Sequence, residues 1–464
     1  MMRTARRLLL PFYMMLGACM PVQNTETATR AAAVPVQAAS TLPPMKSFAV
    51  PRPAPAVASN ADIARDFLDL TFMLESGRAL PVFTRFEGPI SVRVTGAPPA
   101  SLGPDLTRLL HRLRTEAGID IALTGAARAN ITLQAVTREE IRRALPSAAC
   151  FVVPNVTSLA EYRSLRRTKQ VSWSQLRSRE TLAIFLPNDA SPQEVRDCLH
   201  EELAQAIGPL NDLYRLPDSV FNDDNVHTVL TGFDMLVLRT YYDPALRTGM
   251  TRAEVAERLP SILARLNPAG QGIAPRRLAR TPRAWIEAVQ TALGPGANAA
   301  ERRAAATKGL QIATAMGWTD HRRAFSHYAM GRLLQATDPA SAQDNFVLAQ
   351  RFFGPGPDTA LHRAYVASQL AAYAISAGRA EDALYLLTPH LDTAARHENA
   401  ALLATLMMLR AEALELAGHV TEGRKVRVDS LGWARYGFGS DWAVRAKLRE
   451  VGLLNPARRR QGAL

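Results

Sequence analysis

Apolar residues recur along the chain with two different periods, and the change of period divides it into two parts. Over residues 61–266, apolar positions alternate in some stretches and recur every three or four residues in others, which predicts an α+β domain. Over residues 284–454 the helical period continues almost without a break, which predicts an all-α domain. The stretch 267–283, with several arginines and prolines, is predicted to be a linker, and residues 455–464 a basic tail.

Strands and helices are predicted at defined places in the first part. The strands fall at 90–94, 119–123, 130–136 and 181–186, and two helices cover 61–77 and 103–117. A third helix begins at Ser191 and Pro192, since serine is a good N-cap and proline suits the first turn. Residues 157–180 carry six basic side chains and are predicted to form a basic surface loop.

The amino terminus has the form of a secretory signal peptide. Three arginines precede an apolar run at 8–16 that is too short to span a bilayer. The run ends in Leu16-Gly17-Ala18-Cys19, which resembles the lipobox of bacterial lipoproteins; the alternative is an ordinary cleaved signal with a chance cysteine. The resemblance implies removal of residues 1–18 and lipidation of Cys19, which would anchor the chain in the membrane. Met20 favours the outer membrane, on the periplasmic side of the cell envelope.

Residues 19–60 are predicted to be a tether. The segment is rich in proline, alanine, threonine and serine, and five prolines crowd between positions 43 and 55. Such a composition buries too little apolar surface to fold and favours extended polyproline II. We therefore expect a disordered connection between the lipidated Cys19 and the first helix.

The charge balance suggests a nucleic-acid partner, but the predicted compartment excludes one. The 464 residues contain 55 lysines and arginines against 42 acids, a net charge of +13. All but five of these basic residues are arginine, a ratio as typical of codon usage as of phosphate binding. In the envelope, the arginines at 163–179, 276–283 and 458–460 are expected to face anionic lipid headgroups or acidic partners.

The most informative residues lie on the helix that begins at Ser191. His200-Glu201 suggests the zinc-binding pattern H-E-x-x-H, but the residue four positions after His200 is Ala204, which cannot bind a metal. One position further on, the spacing of the metzincin signature H-E-x-x-H-x-x-G-x-x-H is met by Glu201, Glu202, Gln205, Gly208 and Asn211. The chain resembles the metzincins here, with oxygen donors in place of all three histidines.

Neighbouring stretches extend the resemblance. Residues 219–222 lie where matrixin-type metzincins place a turn bearing a methionine beneath the metal, with Phe221 in that position, and 230–242 is similar to their C-terminal helix. Residues 198–250 resemble an uncharacterised family of Gram-negative lipoproteins more closely than they resemble metzincins. The shared motifs are Glu-Glu-Leu-x-Gln, Gly-x-x-Asn-Asp, Ser-x-Phe-Asn-Asp and Tyr-x-Asp-Pro-x-Leu-x-x-Gly-Met. The fold implied for 61–266 is a zincin-like α+β domain.

Three interpretations of the motif stay open. Glu201, Gln205, Asn211 and Asp212 offer hard oxygen donors, which suit a divalent cation such as Ca²⁺ or Mg²⁺ better than zinc. A peptidase-like, metal-dependent hydrolase would use Glu202 as its general base. In the third interpretation the scaffold holds no cofactor, and these side chains form a buried polar network with residues 219–224. His200 and His227 are predicted to be packing or surface residues.

Two cysteines remain once Cys19 is assigned to lipidation. Cys150 and Cys198 both belong to the α+β part, and two cysteines in an oxidising compartment are expected to pair. The alternative is two buried thiols. The disulfide would join the stretch before Phe151 to the motif helix.

Helix pairs recur in the all-α part at an interval of roughly 40 residues. Small residues mark helix ends at Ala336, Gly378 and Gly418, each followed by a second helix. The arrangement resembles tetratricopeptide repeats, which implies a helical-repeat domain with a groove for protein or peptide partners; the alternative is a bundle without repeats. The sequence thus favours a non-catalytic envelope lipoprotein, with a hydrolase using Glu202 as the alternative.

Overall fold

Five short strands form one mixed sheet in the first part of the chain. The sheet has the order β2-β1-β3-β5-β4, and only β4 runs antiparallel to its neighbour. Leu133 of β3 pairs with Ile184 of β5, and both are fully buried. Strand β5 is apolar along its whole length and buried at every position, as expected where both faces of a sheet are covered. The strands are β1 (Ile90–Gly96), β2 (Ile121–Leu123), β3 (Ile131–Val136), β4 (Phe151–Pro154) and β5 (Leu182–Pro187).

The structure is a computed structural model that describes residues 40–48, 53–146 and 148–461. The predicted signal peptide, Cys19 and the first part of the predicted tether lie outside the described residues. Residues Leu42–Leu464 form one compact unit, and the account below concerns it. In the described part of the chain, no helix combines the length and the apolar character needed to cross a bilayer.

In the described residues, seven helices belong to the α+β part, and helix α5 carries the motif. Ser191 accepts a hydrogen bond from the Glu194 amide at 3.2 Å and Pro192 opens the first turn, as the sequence predicts. The large core lies on the face of the sheet that α2, α5 and α6 cover, and Phe185 and Ile141 belong to a smaller core on the other face. The helices are α1 (Asn60–Thr71), α2 (Leu102–Glu116), α3 (Arg138–Ala144), α4 (Leu159–Leu165), α5 (Pro192–Ile207), α6 (Gly232–Tyr241) and α7 (Arg252–Leu266).

The stretch 157–180 differs from the basic surface loop that its composition predicts. It contains α4 and two short 3₁₀ turns, at Lys169–Val171 and Trp173–Gln175. Leu159 is buried in the smaller core, and Arg179 is only 3% exposed. Charge composition alone missed the two anchoring positions, because the side chains between them are mostly exposed.

The second part of the chain consists of helices in the described residues. Successive helices pack as pairs, α8 with α9, α10 with α11, α12 with α13 and α14 with α15, and the pairs begin at Arg283, His321, Ala360 and Ala400. The helices are α8 (Arg283–Leu293), α9 (Ala299–Ala315), α10 (His321–Leu334), α11 (Pro339–Phe353), α12 (Ala360–Ser376), α13 (Ala380–Arg396), α14 (Ala400–Leu416), α15 (Val420–Phe438), α16 (Asp441–Gly452) and α17 (Pro456–Gln461). The layout of an α+β part followed by a helical part is confirmed.

Residues 42–48 differ from the disordered tether expected of them. The Lys46 amide donates to the Gly432 carbonyl at 3.1 Å, and the Phe48 ring stacks on Trp433 of α15 with centroids 4.5 Å apart. Arg435 donates to the Pro43 carbonyl at 2.9 Å. Phe48 supplies the apolar surface that a composition average hides, so this end of the segment lies against the helical part.

The two parts meet along α5. Arg196 of α5 pairs with Glu398, in the turn between α13 and α14, at 2.8 Å, and their side chains are 1% and 6% exposed. Gln193 donates to Asn399 at 3.2 Å, and Tyr436 of α15 donates to Asp105 of α2 at 2.7 Å. Buried polar contacts of this kind hold the helical part in one orientation on the α+β part.

Candidate functional site

Helix α5 ends at Gly208, where a larger residue would be crowded. A Cβ atom on Gly208 would lie 2.6 Å from Leu238 Cδ2 and 3.0 Å from the Ala204 carbonyl oxygen. The chain approaches α6 closely at this point and then turns back toward α1, where the Leu210 amide donates to the Leu70 carbonyl at 3.3 Å. Asp212 comes within electrostatic range of Glu201 after this turn.

Arg179 fixes this end of α5. Its guanidinium donates to the carbonyl oxygens of Gln205 and Ala206, each at 2.8 Å, and of Gly208 at 2.6 Å. It also lies over the Trp173 ring, 5.5 Å from the centroid. A buried cation at a helix C-terminus satisfies orphan carbonyls and complements the helix dipole. This role could not be predicted from the neighbours of Arg179 along the chain, since Ser178 and Glu180 are exposed polar residues.

The predicted metal ligands divide into two groups. The Asn211 side-chain amide donates to the Asp69 carbonyl at 2.9 Å, so it ties the turn to α1. Glu201 and Asp212 come within electrostatic range of each other, and Glu75 hydrogen-bonds Asp212. Gln205 is 8% exposed on the same helix as Glu201.

The carboxyl groups around Glu201 favour their neutral forms. Burial, with the charges of Glu75 and Asp223, raises the pKa of Glu201 to about 8. Burial first, and the neighbouring carboxylates second, raise the pKa of Asp212 well above its usual value. Burial and the charges of Glu201 and Glu75 do the same to the pKa of Glu202. Each of these shifts favours the protonated carboxyl, which disfavours Glu202 as a general base.

Glu201 and Asp212 do not belong to a compact group of three candidate metal ligands. In the described part of the chain, one group of three His, Cys, Asp or Glu side chains offers ligand atoms that all lie within 4.8 Å, and it contains neither Glu201 nor Asp212. One oxygen each of Glu202 and Asp212 is buried without a hydrogen-bond partner. Binding of an ion by Glu201, Gln205, Asn211 and Asp212 stays a prediction.

His200 is a packing residue, as expected. It is 5% exposed, and its Nδ1 accepts a hydrogen bond from the Leu230 amide at 3.1 Å. Burial, with the charges of Arg112 and Arg196, lowers its pKa well below the usual value. The neutral ring thus joins α5 to the segment that leads into α6.

The turn at 219–222 is organised by Asp234, which the motif comparison missed. Asp234 is fully buried and accepts hydrogen bonds from Ser219 Oγ at 2.5 Å and the Val220 amide at 3.1 Å. It also forms a capping box with Thr231 at the start of α6. The spacing Thr-x-x-Asp is a sequence signal for this cap. Phe221, fully buried, packs in the core beneath the turn.

Cys150 and Cys198 form the expected disulfide. The bond joins residues 48 positions apart, the stretch before β4 and the middle of α5. It therefore pins the antiparallel edge strand to the motif helix. Closing a loop of this length restricts the unfolded chain and stabilises the fold.

The helical part covers the segment that follows α5. The Gln290 side chain of α8 donates to Asp223 at 2.9 Å, and His321 of α10 donates to the Tyr214 carbonyl at 2.7 Å. His362 of α12 donates to Asp224 at 2.8 Å. A cavity beside His200 on the other side of α5 measures about 10 Å³, which is room for a single water.

Residues 60–261 match the family model described as "Protein of unknown function (DUF2927)". This range coincides with the α+β part, so the match supports the prediction of an uncharacterised domain family there. No curated protein and no solved structure matches the chain. The resemblance to metzincins, lipoproteins and tetratricopeptide repeats stays a prediction.

Proposed function

We propose that the protein is a membrane-anchored envelope lipoprotein with a degenerate, non-catalytic metzincin-like domain and a helical array that binds a peptide segment of a partner protein. A groove on the helical part carries the proposal. It lies on α13, beside Gln350 of α11, and measures about 640 Å³, which is the size of a ligand pocket.

The chemistry of the groove suits a short peptide with an apolar side chain. Leu384, Tyr385 and Pro389 supply apolar surface, and Tyr385 is 83% exposed. Exposed tyrosines in grooves are typical of protein-binding surfaces, because the ring offers contact area and the hydroxyl a hydrogen bond. Glu381 and His390 at the same groove add polar partners.

The surroundings of Glu202 support a non-catalytic role for the α+β part. Glu202 is 5% exposed, and burial raises the pKa of its carboxyl, which disfavours the ionised form that a general base needs. Asn211 is occupied with the Asp69 carbonyl, so the third position of the metzincin spacing serves the fold. These observations favour a scaffold over the alternative, a hydrolase with Glu202 as base.

The disulfide supports the proposed compartment. Cys150 and Cys198 are joined, and disulfides persist in oxidising environments such as the periplasm. Lipidation of Cys19 rests on the lipobox-like sequence alone. Replacement of Cys19 by Ser should release the chain from membranes prepared from the producing cells.

The groove can be tested by site-specific crosslinking in intact cells. A photoreactive phenylalanine analogue at position 385 should crosslink to one defined segment of another envelope protein, identified by mass spectrometry. The matched control carries the same analogue at Trp442, which is 74% exposed on α16 outside the groove. Equal crosslinking at both positions, or none at position 385, would contradict the proposal.

Two variants distinguish binding from catalysis. Leu384→Glu places a charge in the groove and should reproduce the phenotype of a deletion strain, whereas Glu202→Gln should behave as wild type. The opposite result, loss of function in Glu202→Gln with normal protein levels, would favour the hydrolase instead.

A further inference from the structure

Three metal-binding side chains meet where the two parts of the chain touch. Asp218 and His227 come from the segment between α5 and α6, and His397 ends α13. One ligand atom from each lies within 4.8 Å of the other two. The rings of His227 and His397 have centroids 5.3 Å apart, and His227 Nε2 lies 3.8 Å from an Asp218 carboxylate oxygen.

Two imidazoles and a carboxylate are a donor set that zinc prefers. Zinc sites with three protein ligands keep a water at the fourth position, and their nitrogen and oxygen ligands lie about 2.0–2.2 Å from the ion. Such bonds require the three ligand atoms to draw closer than 4.8 Å. The Asp218 side chain is 21% exposed and the His227 side chain 2%. An ion would therefore approach from the side of Asp218, and rotation of the Asp218 side chain would close the gap.

Neighbouring groups act on two of the three ligands. Asp234 and Asp358 both act electrostatically on Asp218. His227 donates from Nε2 to the Pro217 carbonyl at 2.9 Å, a contact of the kind that orients ligand histidines and leaves Nδ1 as the ring nitrogen that would bind the ion. The nearest basic neighbour along the chain, Arg396, is paired with Asp392.

We propose that Asp218, His227 and His397 form a zinc-binding site that joins the α+β part to the helical part. Two ligands come from one part and one from the other, so the ion can be held fully only when the parts are docked. The open fourth position is taken by water. The site is separate from the groove on α13 and from the Glu201 cluster, and it does not rest on the proposed function.

Zinc titration of the chelator-treated, detergent-purified full chain tests the site. Calorimetry should show one equivalent of Zn²⁺ bound, and saturation should raise Tm because the ion binds the folded state. His397→Gln should weaken binding at least about 100-fold, more than the loss of an outer-shell partner of a metal site does. Asp218→Asn should weaken zinc binding as well. The test therefore rests on two ligands and needs no substitution at the buried His227.

Two controls locate the ion. His390→Gln removes a partly exposed histidine from the same helix as His397, and it should bind zinc as the unaltered chain does. Glu201→Gln should also leave zinc binding unchanged, since Glu201 lies outside the proposed site. Absence of stoichiometric binding, or binding retained in both His397→Gln and Asp218→Asn, would refute the proposal.

Discussion

A buried charge is tolerated only where hydrogen-bond partners replace its water. Two residues at α5, Arg179 and Glu202, show what happens with and without such partners. The guanidinium of Arg179 has such partners, because backbone carbonyls of Gln205, Ala206 and Gly208 accept its hydrogen bonds. Glu202 has an oxygen without a partner, and its pKa is raised by burial. The sequence spacing identified the acidic residues but could not show which would be ionised, because that depends on neighbours distant along the chain, such as Glu75.

Glu201→Gln tests this account through pH. The usual pKa of Glu201, 4.5, rises to about 8 on folding, so between these values the unfolded chain ionises and the folded chain does not. Stability is therefore lost as pH rises through this window, by at most about 1.4 kcal/mol per pH unit. Glutamine removes the titration, so the variant should exceed wild type by roughly 1–3 kcal/mol at pH 8 and match it near pH 4.

Urea unfolding in chelator-containing buffer at several pH values measures the difference. Glu257→Gln is the matched control, because the Glu257 side chain is 82% exposed on α7. Its stability should follow wild type at every pH. A Glu201→Gln variant that is less stable than wild type at pH 8 would show that the carboxylate is ionised and paired in the folded protein.

At the scale of elements, the period of apolar residues predicted the longer helices and strands. It missed a short strand that depends on its pairing with a distant strand. The strand expected at 130–136 occurs as Ile131–Val136, and the helix expected at 103–117 as Leu102–Glu116. Strand β4, Phe151–Pro154, has four residues and ends in proline, too short for a period to show. It exists because its partner β5 and the disulfide hold it in place.

Replacing a helical glycine by alanine should destabilise the fold where two helices lie very close and stabilise it where there is room for a methyl group. Two glycines of the helical part show these two situations. A Cβ on Gly437 of α15 would lie 2.5 Å from the Ala401 backbone, whereas one on Gly309 of α9 would meet Ala288 Cβ at 3.7 Å, an ordinary contact. Gly437→Ala should therefore destabilise by about 1–3 kcal/mol through overpacking. Gly309→Ala should stabilise by roughly 0.5–1 kcal/mol, since alanine restricts the unfolded chain and favours helix.

Chemical denaturation of the two variants measures both effects. The pair is matched, because each adds one methyl group to a helix of the second part. If Gly437→Ala proved as stable as wild type, α14 and α15 would have to lie further apart than the close approach of Gly437 to Ala401 indicates.

At the scale of the whole molecule, the sequence pattern suggested two domains joined by a linker. In the structure, hydrogen bonds connect the linker and the helical part to the α+β part. The Arg276 amide in the expected linker donates to Asp62 of α1 at 2.7 Å, and His321 of α10 reaches Tyr214. No local pattern signals such contacts, since each partner is an ordinary polar residue in its own stretch. The division into two parts was predictable from periodicity, whereas their docking was not.

The docking predicts that the two parts unfold together. Arg196 and Glu398 form a buried pair between them, so Arg196→Ala leaves Glu398 buried without its partner, at a cost of about 3–5 kcal/mol. Calorimetry of the full chain should give one unfolding transition for wild type. For Arg196→Ala the transition should have a lower Tm and be broader, because the helical part separates first. Arg138→Ala breaks a half-exposed pair with Glu194, also on α5 but within the α+β part, and should cost less than about 1 kcal/mol without broadening. Two separate transitions in the wild type would mean that the parts are stable alone, and the contacts along α5 would then orient them without coupling their folding.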